Sequence, residues 1–170
     1  MVAAPPARRI APLSDRHDRD SFASGIEPLD RYLRHQAGQD ARRRVASCFV
    51  LVDDRERVPI GYYTLAATSI ALAELPDALA KRLPRYPVIP ATLMGRLAVD
   101  ARHRRQGHGE LMLLDAFSRA LRNDIASYAF VVEAKDDEAA RFYQRYRFRA
   151  LVEGGRRLFI PMAEIARLFS

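Results

Sequence analysis

The 170-residue sequence predicts one α/β (α+β) domain built as a mixed sheet flanked by helices. Stretches of strand character alternate with stretches of helical period, and strand pairs of hairpin type lie toward both ends of the chain. Hydrophobic residues make up 49% and charged residues 29%, the balance of a folded chain long enough to bury a core.

Residues 8–13 are expected to form a first strand. Leu29 to about Asp40 reads as an amphipathic helix, with Leu29, Tyr32, Leu33 and Gln36 on one side and Arg31, Arg34, His35 and Arg42 on the other. Val45–Val52 and Ile60–Ala71 make a hairpin across a turn at residues 53–55, and Pro59 sits where a missing amide is tolerated. Residues 77–83 form a short helix between Pro76 and Pro84. Ala91–Val99 is the next strand. A basic, glycine-bearing loop then leads into a long helix from about Gly107 to Arg122, whose apolar residues include Leu111, Leu114, Phe117 and Leu121, with Leu113 on a flank.

Ser127–Ala134 is almost unbroken apolar sequence, the mark of a strand buried on both faces. Asp137–Tyr146 is a helix with an acidic first turn and Arg145 in its last, as its dipole favours. Phe148–Val152 and Arg157–Ile160 are strands, and Met162–Phe169 closes the chain as a helix. A single domain over residues 1–170 is expected, with residues 1–8 flexible.

Composition narrows the function classes. No apolar run approaches the roughly 20 residues that cross a bilayer. The start carries Pro5, Pro6, Arg8 and Arg9 without an apolar secretory core, so the cytoplasm is the expected compartment. The lone cysteine, Cys48, excludes a disulfide framework or a multi-cysteine metal site and reads as a buried thiol. Arg and Lys number 28 against 21 Asp and Glu, a net charge of +7 that favours polyanionic partners: nucleic acid, a phosphorylated cofactor or an acidic protein.

The strand at Leu93–Val99, the loop Asp100–Gln106 and the helix from Gly107 carry the chemistry. A strand feeding a glycine-bearing turn into a helix N-terminus is an anion site, because orphan amides point outward and glycine lets a phosphate approach closely. Arg104 and Arg105 add charge that persists at any physiological pH. The Gly-Lys-Ser/Thr ending of a nucleoside-triphosphate loop is missing, as is the third glycine of a dinucleotide fold.

These residues resemble the GNAT superfamily of N-acetyltransferases. Its diphosphate motif, Gln/Arg-x-x-Gly-x-Gly/Ala, is matched by Arg104, Gly107 and Gly109. Residues 95–100 resemble the family's central strand, which implies a mostly antiparallel sheet with splayed strands whose backbone pairs with the pantetheine arm. Residues 136–148, ending in Phe142 to Phe148, are similar to the family's C-terminal helix and following strand, with Arg147 where the family carries glycine. Phe22–Gly25, Leu29–Leu33, Gln36–Ala37 and Phe49–Val52 are similar to the N-terminal half of GNAT-type toxins from bacterial type II toxin–antitoxin pairs. Together the resemblance spans about residues 20–162.

The resemblance implies acetyl-CoA as donor, bound by Leu97, Ala98, Val99, Arg104, Arg105, Gln106, Gly107, His108 and Gly109. It implies acetylation of the α-amine of aminoacyl-tRNA, which blocks translation. A ribbon-helix-helix antitoxin would neutralise the enzyme, and the pair would repress its own operon, meeting operator DNA only through the antitoxin. A homodimer would help span a tRNA.

An α-amine with a pKa of about 7.7–8.0 is partly neutral near pH 7, so attack on a thioester needs no strong base. Backbone amides near Leu97–Val99 are suited to polarising the acetyl carbonyl. Tyr143 matches the family tyrosine that protonates the leaving thiolate, and a phenol of pKa about 10 stays protonated for that task. The alternative is a core aromatic on an amphipathic helix. Glu133 is either a relay for the amine proton or a plain strand-end carboxylate. Asp136 and Asp137 read as a helix cap rather than an acid/base pair.

His103 and His108 flank the loop, but His17 and His35 are remote, and no metal is expected. Arg102 and His103 would face solvent or the adenine-side phosphate. Arg31, Arg34 and Arg42, with His35, Arg43 and Arg44, are candidates for the tRNA backbone or form a solvated helix face. Arg96 lies on the motif strand, where a charge is costly unless it faces the cleft or a partner. Two other readings compete: an acetyltransferase of a small amine or protein N-terminus with no toxin role, and a non-catalytic binding module on the same scaffold.

Overall fold

The computed structural model describes residues 7–55 and 57–170. Of the expected flexible start, residues 1–6 lie outside the described residues, while Arg8 already pairs with Asp53. Seven strands form one sheet: β1 (Arg8–Pro12), β2 (Ser47–Asp53), β3 (Gly61–Ala71), β4 (Val88–Val99), β5 (Ala129–Glu133), β6 (Arg149–Ala150) and β7 (Arg157–Pro161). Their order is β1-β2-β3-β4-β5-β7-β6. Helices α1 (Glu27–His35), α2 (Ala37–Arg42), α3 (Asp77–Ala80), α4 (His108–Arg122), α5 (Asp137–Gln144) and α6 (Met162–Leu168) complete the α/β fold.

The chain divides into two compact units, with β3, β4 and α4 running through both. The first comprises residues up to Leu65 and Arg96–Ala116. Here β1 and β2 are antiparallel, Arg8 opposite Asp53 through Pro12 opposite Phe49, and β2 continues antiparallel onto β3. The core gathers Phe22, Tyr32, Leu33, Ala37, Cys48, Val50, Val52, Tyr62 and Ala98. Cys48, Val50 and Val52 share one face because side chains alternate along a strand. Burial pushes the Cys48 thiol up to about 12, so it stays neutral and inert.

The second unit comprises Ala66–Gly95 and Phe117–Ser170. β4 and β5 run parallel from Ala91 opposite Ala129 to Met94 opposite Val132, and β7 pairs antiparallel with β5 and β6. Residues 129–132 are all fully buried, as the unbroken apolar run predicts. Met94 closes the β4–β5 ladder, yet β4 runs on to Val99.

Four expectations need correction. The helix expected over Leu29–Asp40 is two helices, broken where Gln36 leaves helical geometry (φ −120°, ψ −35°). Gln36 is exposed rather than packed, and its amide nitrogen donates to Asp40 Oδ1 at 2.8 Å. The apolar residues expected on α4 divide: Leu113 and Phe117 are buried together with Met112, Ala116 and Ala120, whereas Leu111 and Leu114 are 43% and 36% exposed. Two stripes of equal period compete on this helix, and the buried one carries the alanines, whose small side chains let a helix approach a sheet closely. The short helix over 77–83 ends as α3 at Ala80, and the strand over Phe148–Val152 shrinks to the two residues of β6.

Candidate active site

In the first unit, β4 delivers Leu97, Ala98 and Val99 directly into the loop that opens α4. Asp100 follows. Its carboxylate, 1% exposed, accepts from the amides of Ala23 (3.0 Å) and Arg102 (2.9 Å) and from Arg102 Nε (3.0 Å). Burial alone would raise its pKa, but these donors, Arg102 foremost, hold the carboxyl below its usual range.

The turn then adopts left-handed geometry twice, at Arg105 (φ +60°) and Gly107 (φ +79°). For glycine this costs nothing; for arginine it costs about 1–2 kcal/mol. The amides of Arg105, Gln106, Gly107, His108 and Gly109 donate to no acceptor among the described residues, and the first main-chain bond of the helix comes from Leu111 to Gly107. The space a Gly107 side chain would take is open to at least 4 Å. Unpaired amides around alternating backbone handedness, at the positive end of a 15-residue helix, make a cradle for an anionic group. A coenzyme diphosphate fits that donor set.

The side chains of this turn point elsewhere. Arg104 Nη2 donates to the Ser24 carbonyl at 2.6 Å, so the motif arginine spends its guanidinium on the protein. His108 is buried, with Nε2 at 3.2 Å from Gln106 Oε1 and its ring edge-on to His103 at 6.0 Å. Burial first, then the charges of Arg8 and His103, lower its pKa and keep it neutral. Arg102 pairs with Asp100 at 3.0 Å while 56% of its side chain stays open to solvent. Among the described residues no three His, Cys, Asp or Glu side chains assemble as a metal-holding group.

The candidate substrate residues Arg31, Arg34, Arg42 and Arg96 all lie in this first unit. Arg31 and Arg34 both approach Glu27 (3.9 and 3.1 Å), which offsets part of their charge. Arg42 and Arg43 are exposed, and Arg44 beside them is held left-handed at φ +59°. Arg96 has found a partner: its guanidinium lies 3.5 Å above the Tyr32 ring, whose hydroxyl donates to Asp40 Oδ2 at 2.8 Å. Sequence periodicity cannot reveal such a pairing between β4 and α1.

Tyr143 belongs to the second unit. It stands on α5, which is capped as expected by Asp136, whose carboxylate accepts from the Ala139 amide at 2.7 Å. Its ring meets Phe142 and Phe148 edge-on at 5.2 and 5.4 Å. The residue is only 7% exposed, and burial drives the phenol pKa well above 10. Its hydroxyl has no hydrogen-bond partner among the described residues, and no fully buried side-chain polar atom there is left unpaired. The oxygen is therefore not sealed in: it is a protonated donor with nothing to donate to. Glu133 is exposed at the end of β5. Arg147, standing where the family carries glycine, takes the left-handed conformation a glycine would take (φ +72°).

A sheet strand that runs into an amide-lined turn at the head of a long helix suits a protein that takes a phosphorylated coenzyme on its main chain. The chain belongs to the acetyltransferase (GNAT) domain family, which matches residues 44–150, and is an N-acetyltransferase with acetyl-CoA as donor. It is 36% identical over 138 residues to the tRNA-acetylating toxin of Mycobacterium tuberculosis (strain ATCC 25618 / H37Rv), covering 80% of this chain and 81% of that one. It is 30% identical over 171 residues to the probable toxin TacT of Sinorhizobium fredii (strain NBRC 101917 / NGR234), covering 95% and 94%.

Among solved structures it is similar to AtaT complexed with acetyl-methionyl-tRNAfMet (29% identity, TM-score 0.86, covering 96% of this chain and 100% of that one). It is similar to AtaTR bound with acetyl-CoA (28%, TM-score 0.84, 96% and 98%). A tyrosine-to-phenylalanine mutant of AtaT bound to the C-terminus of the antitoxin AtaR is a further match (27%, TM-score 0.81, 96% and 98%).

Proposed function

We propose that this chain transfers acetyl from acetyl-CoA to the α-amine of aminoacyl-tRNA and so stops translation in the cytoplasm. A ribbon-helix-helix antitoxin restrains it, and operator DNA is met only through that complex. The observation that carries the reading is the run of unpaired amides from Arg105 to Gly109, the donor set a diphosphate needs. The choice of acceptor is supported by the relative named as a tRNA-acetylating toxin and by the similar toxin crystallised with acetylated methionyl-tRNA. The similar toxin bound to an antitoxin C-terminus supports the partner. No helix among the described residues is long and apolar enough to cross a membrane.

Acetyl-CoA supplies an activated thioester, and the protein's work is to orient it and manage protons. The amides of Arg105 to Gly109 hold the diphosphate, with Arg104 bounding the turn. Main chain at Leu97, Ala98 and Val99 orients the acetyl carbonyl and polarises it. Tyr143 gives its proton to the leaving thiolate, a role suited to a phenol kept neutral by burial. Arg31, Arg34, Arg42 and Arg96 supply phosphate contacts, which hold a tRNA without reading its sequence.

Expression without an antitoxin should arrest growth, and purified enzyme with labelled acetyl-CoA and charged tRNA should label the aminoacyl end. Label found only on free amines or proteins would instead establish an acetyltransferase with no toxin role. A harmless wild type would end the toxin reading.

A further inference from the structure

The amide-lined turn has a costly shape, and its amides from Arg105 to Gly109 form no main-chain bonds that would keep it. Arg105 is left-handed without the freedom of glycine, and the amides after it are unpaired. Conformations of this kind persist only where neighbouring structure over-determines them. The neighbour is the segment just before α1. The Ala101 amide donates to the Ala23 carbonyl at 2.8 Å, the Ala23 amide donates to Asp100 Oδ2 at 3.0 Å, and Arg104 Nη2 donates to the Ser24 carbonyl at 2.6 Å. Three tethers thus join residues 23–24 to residues 100–104, each spanning more than 70 positions of sequence.

The anchoring segment is itself fixed. Both the amide and the hydroxyl of Ser24 donate to Asp30 Oδ1, at 2.9 and 2.6 Å, and Asp30 is buried in the first turn of α1. The Ile26 amide donates to Ser24 Oγ at 3.1 Å. Gly25 then turns the chain at φ +89°, and a Cβ there would stand 2.7 Å from Arg104 Nη2. The glycine leaves room for the guanidinium to reach the carbonyl beside it.

We infer that the Ser24–Gly25 corner is a positioning element for acetyl-CoA binding: it captures the Arg104 guanidinium as a brace that holds the diphosphate turn in its binding shape. Arg104 then serves the cofactor through the backbone it fixes, with its Nη2 committed to the Ser24 carbonyl. The inference rests on the proposed diphosphate site at Arg105–Gly109 and adds to it a corner that need not touch the cofactor. When the brace is lost, the binding-competent turn becomes one conformation among several, and apparent affinity falls in proportion to its remaining population.

The test compares Gly25→Ala, Arg104→Met, their double mutant and Gly154→Ala by calorimetric titration with acetyl-CoA and by steady-state kinetics. Gly154 is also left-handed (φ +74°) but has nothing within 4 Å of an added Cβ, so its variant carries the backbone penalty without the brace. Gly25→Ala and Arg104→Met should each raise the Kd and KM for acetyl-CoA about tenfold, with kcat held within about twofold. The double mutant should bind no worse than the weaker single variant, and Gly154→Ala should bind like wild type.

Wild-type affinity in Gly25→Ala would overturn the brace. So would fully additive losses in the double mutant, since they would mean that the guanidinium acts independently of the corner. If Gly25→Ala does not fold, Arg104→Met decides: a fall in kcat as large as the rise in KM rejects positioning. Failure of the wild type to bind acetyl-CoA would refute the diphosphate site itself, a result distinct from either.

Discussion

The two compact units of this enzyme solve different problems with different interiors. Every buried polar or charged side chain among the described residues (Ser24, Asp30, Thr64, Asp100 and His108) belongs to the first unit. The interior of the second is apolar, with the phenol of Tyr143 set among Phe142 and Phe148. The first unit must present main-chain amides in an unfavourable shape, and a loop is fixed by hydrogen bonds to buried carboxylates. If Tyr143 is the proton donor proposed above, the second must keep one proton on one oxygen, and burial does that by penalising the phenolate. On the proposed mechanism, binding is organised by polar braces and proton donation by their absence.

Substitutions that damage one function and spare the other test this division. The largest effect is expected for Tyr143→Phe, which removes the donor and leaves its aromatic packing: kcat should fall about 10²–10⁴-fold with the acetyl-CoA Kd unchanged. A parallel loss of affinity, seen by titration, would mean that the second unit also organises binding. Gly107→Asp should do the reverse. It sets a carboxylate against the anion site on a backbone at φ +79°, and the acetyl-CoA Kd should rise about a hundredfold or more, a penalty of about 3 kcal/mol or above. Asp100→Ala should cost about 1–3 kcal/mol in urea unfolding, because it removes the acceptor of the Ala23 amide together with the carboxylate's bonds to the Arg102 amide and side chain. A loss below about 0.5 kcal/mol would show that the polar brace is decorative.

Legibility in the sequence follows the same division. Periodicity exposed β2, β3, β5, α5 and α6 to within a few residues because their patterns are local, and the glycine spacing marked the head of α4. The arginine at the family's glycine position was visible in the sequence, but its left-handed backbone (φ +72°) was not, since the side chain itself argues against that geometry. The ties of Ala23 to Asp100 and of Arg104 to Ser24 were invisible, since they join residues 77 and 80 positions apart. The seat of Arg96 on Tyr32 was hidden for the same reason. On α4 apolar character alone does not separate the exposed Leu111 and Leu114 from the buried Leu113 and Phe117, nor does it mark Ala116 and Ala120 as part of the buried face.

Two smaller effects sharpen the comparison. In the second unit, Arg147→Gly removes left-handed strain at an exposed site and should stabilise by about 0.5–1 kcal/mol after the extra freedom of the unfolded glycine is counted, a rise of a few degrees in Tm. In the first unit, His108 has its pKa lowered by burial and by Arg8 and His103, so the folded protein binds fewer protons than the unfolded chain as pH falls through about 6.5. Its stabilising contribution is therefore whole above the unfolded pKa and is lost on acidification toward the folded one. Thermal unfolding between pH 7.5 and pH 5 should show wild-type Tm falling more steeply than that of His108→Gln. Equal slopes would mean that the imidazole titrates alike in both states, and that the polar interior of the first unit is tuned by its carboxylates alone.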